Sequence, residues 1–141
     1  MKTLFLVTVM LAGVMSVARS QETVEAMKSR VEAASEKDQV ELCARIAERQ
    51  LEALDKAYND GDLKKAETAL RDVGIYGVKA ADAARNTGKR MKQTEIAIRK
   101  MASRLDDIRK TLDIDQRPAV AEVVTQLERA RTDLLNRMFR K

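Results

Sequence analysis

The chain has 141 residues, with 27 Lys and Arg against 22 Asp and Glu, one cysteine, four aromatic side chains and no histidine. Without histidine the commonest general base and metal ligand are missing, and a Ser-His-Asp or Cys-His site cannot be assembled. A single thiol excludes a disulfide within the monomer, a thiolate metal cluster and Cys-x-x-Cys redox chemistry.

Residues 1–20 read as a secretory signal rather than as part of the fold. Lys2 supplies the positive start, residues 4–17 are apolar, and Ala18 and Ser20 are small residues at the minus-three and minus-one positions before Gln21. The apolar run is too short for an ordinary membrane span. Loss of Lys2 and Arg19 with this segment leaves 121 residues carrying 25 basic and 22 acidic side chains. That length suits one domain with one core. Export without disulfides fits a bacterial envelope, in the periplasm or as a secreted protein.

Residues 21–34 form a short helical arm, with Val24, Met27, Val31 and Ala34 on one side. Ser35 then caps the next helix, with Asp38 at the third position. Val40, Ala44, Ala47, Leu51, Leu54 and Tyr58 recur at helical spacing over residues 38–59, and Cys43 beside them is expected as a small buried hydrophobe. Asn59-Asp60-Gly61-Asp62 breaks the pattern, with Gly61 taking the left-handed conformation and Asp60 or Asp62 capping the second main helix. That helix, over residues 62–86, carries Leu63, Ala66, Leu70, Val73, Gly77, Ala80 and Ala84. A connection this short makes the two helices an antiparallel hairpin.

The turn Ala57-Tyr58-Asn59-Asp60-Gly61-Asp62-Leu63-Lys64-Lys65-Ala66, followed by Leu70, resembles that of a tetratricopeptide repeat. The likeness covers about 25 residues by count of the sequence. Leu54 stands where that family prefers Gly and Val78 where it often has Pro, and no second copy recurs at a period near its usual ~34 residues. The resemblance implies a protein-binding scaffold.

Asn86-Thr87-Gly88 ends the second helix. Met91, Thr94, Ile98, Met101, Leu105, Ile108 and Leu112 then form a coiled-coil-like seam over residues 89–112. Pro118 sits at the start of a last helix over residues 118–139. Four helices of similar length with short connectors predict an all-α, up-down four-helix bundle of antiparallel helices with a short N-terminal helical arm. A three-helix arrangement continuous through Gly88, and a solenoid fragment, suit the same pattern in second and third place.

Function is expected in binding rather than catalysis, with no catalytic, cofactor or metal residues. Residues 21–60 carry six basic and ten acidic side chains, whereas residues 89–117 carry nine and five. Two faces are candidates for a protein partner or for self-association. One is a basic strip of Lys89, Arg90, Lys92, Arg99, Lys100 and Arg104. The other is the Gly74-Tyr76-Gly77 region, where missing side chains leave either a close helix contact or a hollow. Nucleic acid is not expected, since the strip lacks stacking aromatics. No transmembrane segment is expected in the mature chain, and Arg137-Met138-Phe139-Arg140-Lys141 offers only weak membrane-surface contact. The alternative is a small-ligand or carboxylate-metal bundle using Glu67, Glu95 and Glu122, although solvated surface is the plainer expectation for these three.

Overall fold

The computed structural model describes residues 22–140, so the expected signal at residues 1–20 lies outside the described residues. Those residues form five helices and no strand: α1 (Val24–Ala33), α2 (Glu36–Asn59), α3 (Leu63–Thr87), α4 (Met91–Thr111) and α5 (Arg117–Phe139). The expected up-down bundle with a short N-terminal arm is the observed fold.

Local chemistry sets each boundary. Ala34 is extended and the Ser35 hydroxyl accepts from the Asp38 amide at 3.3 Å, so the arm and the main helix are separate. Ser35 Oγ also donates to the Asp38 carboxylate at 3.0 Å. Asp62, and not Asp60, caps α3 by accepting from the Lys65 amide at 3.1 Å. Asp60 instead takes Lys56 Nζ at 2.7 Å. Gly88 (φ 68) ends α3 in the left-handed region, which rules out a helix continuous through it. A single 3-10 turn, Ile114–Gln116, leads into α5, whose first turn holds Pro118.

Cross-helix contacts give the directions and the lateral order. Gln50 Nε2 donates to Asp72 and Asn86 Nδ2 to Glu36, so α2 and α3 run antiparallel. Arg131 Nε donates to Glu95, joining α4 and α5 in the same sense. Between the two hairpins the order is different. Arg90 meets Glu41 and Arg104 meets Asp55, so α4 lies beside α2 and parallel to it. Val123 faces Gly74, Leu127 faces Gly77 and Asp133 meets Arg85, so α5 lies beside α3, also parallel. The second hairpin is therefore the first one shifted sideways, with partners about 49 positions apart along the sequence.

Leu54, Val73, Ile98, Leu105, Val120 and Leu127 are fully buried between the hairpins. Ala47, Ala57, Ala66, Ala69 and Ala81 let the helices approach closely. At the end where α2 starts and α3 stops, here the lower end, Val40, Ala84 and Leu134 close the core.

The arm packs on the outer side of the first hairpin. Met27 and Val31 are 1% exposed against Leu42, Cys43, Ile46 and Ala80. Lys28 Nζ reaches Asp72 at 2.6 Å, and Gln39 Nε2 donates to the Val31 carbonyl at 3.0 Å. Asp72, 7% exposed, thus ties three helices together with Lys28 and Gln50. Removing water from Lys28 opposes its charge, but the Asp72 hydrogen bond and charge outweigh this and raise its pKa.

Candidate functional site

Gly74 and Gly77 line no hollow. Both are buried against α5. A Cβ on Gly77 would stand 2.5 Å from Leu127 Cδ2, and one on Gly74 2.9 Å from Gln126 Oε1 and 3.4 Å from Val123 Cγ1. The absent side chains admit a neighbouring helix rather than a ligand, which corrects the hollow considered for them. Tyr76 is half-buried on another side of α3, its ring centroid 5.8 Å from Lys28 Nζ and 5.9 Å from Lys79 Nζ. Burial pushes the Tyr76 phenol up against the opposing pull of Lys28.

The six basic residues of the expected strip are all exposed, yet they do not form one patch. Arg90 and Arg104 turn to α2, making ion pairs of 3.3 Å with Glu41 and 2.7 Å with Asp55. Lys100 lies on the same side. Arg99 turns the other way, its Nε 3.7 Å from Glu95 Oε1. Lys89 and Lys92 stand at the start of the helix. Arg90 itself adopts φ 54, a left-handed conformation that costs about 1–2 kcal/mol for a residue with a Cβ.

Glu95 departs from its expected place on the surface. It is 8% exposed and accepts from Arg131 Nε at 2.8 Å, bridging α4 and α5. That contact raises the Arg131 pKa. Glu67 is exposed and its nearest cation is Arg71, 3.5 Å away and one turn on, while Glu122 is exposed on α5. The three carboxylates are not brought together, and no group of three metal-ligating side chains occurs among the described residues.

Along the α2–α4 seam runs a shallow trough, with a separate depression beside its lower end, between α1 and α2. That depression, about 470 Å³, is lined by the end of α1 and the first turns of α2, with Arg90 its one residue from the α4 side. There Arg30, Lys37, Arg45 and Arg90 surround Ala33, Ala34 and Leu42, with Asp38 and Glu41 at the margin. The lower part of the trough itself, about 200 Å³, shares Glu41, Arg45 and Arg90 with it and continues past Ala44 and Thr94 to Glu48 and Ala97. An upper part of about 330 Å³ shares Glu48 and Ala97 in turn, with Leu51 and Met101 as its floor. Glu48, Glu52 and Asp55 form the α2 rim there, and Lys100 and Arg104 the α4 rim.

The trough exists because the two parallel seams are built differently. At the α3–α5 seam two glycines let the helices touch. At the α2–α4 seam the facing positions carry charged and polar side chains above Ala44, Leu51 and Ala97, and only the two arginine pairs cross it. Sequence reasoning found the α4 rim and missed the acidic α2 rim. The signal for it was present. The positions Glu41, Glu48 and Asp55 stand 49 residues before Arg90, Ala97 and Arg104, which is the register expected of two helices laid side by side.

Chemically the trough offers opposed charges over an apolar floor, which suits binding of a complementary surface. No helix among the described residues is long and apolar enough to cross a membrane. Comparison with protein-family models, curated proteins and solved structures finds no match.

Proposed function

We propose that the protein is an exported interaction module without catalytic activity, which binds a protein partner, or a second copy of itself, through the α2–α4 face. The observation that carries this reading is the contrast between the two parallel seams. One is closed by Gly74 and Gly77, whereas the other is left open over an apolar floor between charged rims. Export, to the periplasm or beyond, rests on the order of charge, apolar run and small residues in positions 1–20.

Mass measurement of the protein from an envelope fraction is expected to show loss of residues 1–20. An intact Met1 in that fraction would remove the export part of the reading. A pull-down of the tagged protein from the same extract, with sizing of the purified chain, tests the rest. Retention of a partner in about 0.05 M salt and its release near 0.5 M is expected, because exposed charges act over a Debye length that shrinks with ionic strength. A strictly monomeric protein that retains nothing at either concentration would defeat the interaction reading.

A further inference from the structure

We infer that α1 exchanges between two copies of the chain, the arm of each covering α2 and α3 of the other in a symmetric dimer. The surface involved is separate from the α2–α4 face, so the inference goes beyond that reading.

The connector permits the exchange. Only Ala34 and Ser35 separate α1 from α2, and no Gly or Pro occurs from Val24 to Asn59. Their φ angles, −79° and −61°, already suit a helix. Turning ψ from 147° and 154° to about −42° makes α1 and α2 one straight rod. The amides of Glu36 and Lys37 open α2 without an acceptor among the described residues. In the rod they meet the carbonyls of Glu32 and Ala33.

The apolar pattern stays in phase across the connector. At about 100° per residue, Met27, Val31, Leu42 and Ile46 fall within roughly 100° of one another on such a rod. These are side chains that the closed arm and α2 bury together. The register is symmetric as well. Residues 27 and 46, 31 and 42, 34 and 39, and 35 and 38 all centre on one point, between Glu36 and Lys37. Gln39 Nε2 reaches the Ala34 carbonyl at 3.3 Å and Ser35 Oγ the Asp38 carboxylate at 3.0 Å about that point.

A two-fold axis there lays two rods side by side and antiparallel. Met27 and Val31 of each copy then enter the cluster of Leu42, Cys43, Ile46 and Ala80 of the other. The Lys28–Asp72 pair forms between copies, and the two bundles lie end to end. The contacts of the arm are the same in both forms. The balance between them therefore rests on the connector and on protein concentration.

Sizing with mass measurement, from about 10 µM to about 1 mM protein, tests the inference. Monomer and dimer are expected in slow exchange, since conversion requires α1 to leave its place. Carbon chemical shifts of Ala34 and Ser35 should be extended in the monomer and helical in the dimer. Glu36→Pro should suppress the dimer at least about 100-fold, because inside a rod the ring clashes with the Glu32 carbonyl. At the first position of α2, after an extended residue, proline fits the closed form and loses only an exposed bond from Asn86. Ser35→Ala should act the other way and favour the dimer about 10-fold, since it removes the cap of the closed form and suits a helix. Both positions are exposed, so each variant should keep the helical circular dichroism of the parent.

A chain that stays monomeric throughout, Ser35→Ala included, would overturn the inference. So would a dimer in which Ala34 and Ser35 remain extended, or one that Glu36→Pro leaves intact. The α2–α4 reading fails separately. A monomeric Glu36→Pro chain that still captures a partner from extract keeps that reading, whereas an exchanged dimer that captures nothing removes it alone.

Discussion

Leu127→Ala should destabilise the chain by about 3–5 kcal/mol in urea unfolding, toward the upper end for such a truncation. Leu127 is fully buried, and its Cδ2 occupies the space that the missing side chain of Gly77 leaves on α3. Removing it opens a void bordered by a residue with no side chain to lean in. The reciprocal change makes the test sharper. Gly77→Ala should gain about 1 kcal/mol of helix propensity and lose about 1–3 kcal/mol to overpacking against Leu127. Its net effect is then neutral to destabilising. In the Leu127→Ala background the clash is gone and the sign should reverse, so Gly77→Ala becomes stabilising. Contacting residues are expected to couple in this way by about 1 kcal/mol or more, and simple additivity would show that the two helices do not meet as described.

Met27→Asp together with Val31→Asp should release α1 and unmask Cys43. The thiol is fully buried beneath these two side chains and Ile46. Each apolar side chain contributes about 1.5–3 kcal/mol by burial, and a carboxylate in its place adds a desolvation cost. Alkylation of a buried thiol waits on local opening, so a loss of about 3 kcal/mol or more should speed it on the order of 100-fold. Acidity should change too. Burial pushes the Cys43 thiol up, against a smaller opposing effect of Lys79, and only the thiolate reacts. In the released form the pKa falls, so alkylation should set in at lower pH than in the native chain. Helical content from α2 to α5 should persist, since the core between the hairpins lies elsewhere. Unchanged labelling with an unchanged spectrum would mean that something other than α1 covers the thiol.

The four main helices were legible from spacing alone, with boundaries within about two residues. Ser35, Asp62, Gly88 and Pro118 each act through local backbone chemistry, which a sequence states directly. Burial of Cys43 was legible for the same reason, since it adjoins the α2 stripe. What could not be read is what covers a given face. Gly74 and Gly77 admit a helix or a ligand equally well, and the residue that decides between them, Leu127, is 50 positions away along the chain. Glu95 has the composition of a surface residue, and only Arg131 on the next helix accounts for its burial. The basic strip was read as one patch because its residues are near in sequence. Helical rotation sends Arg99 toward α5 and Arg104 toward α2. The resemblance of the α2–α3 turn to a tetratricopeptide hairpin identified a real hairpin and said nothing of its neighbour.

The unequal seams have a mechanical consequence. The α3–α5 edge is pinned by the glycine contacts and the α2–α4 edge is not, so the softer displacement is a small rotation about the tight edge, limited by Leu54, Ile98 and Leu105 buried between the hairpins. That edge acts as a hinge and the trough as a jaw, so its width is a single coordinate of the molecule. The arginine pairs at Glu41 and Asp55 are the only direct charge links spanning the jaw among the described residues, while its resting width is set by the buried side chains beneath them. Screening them with salt loosens the jaw without touching the glycine contacts of the hinge. Ionic strength thereby reaches the rim of the jaw and leaves the packed interior beneath it unchanged.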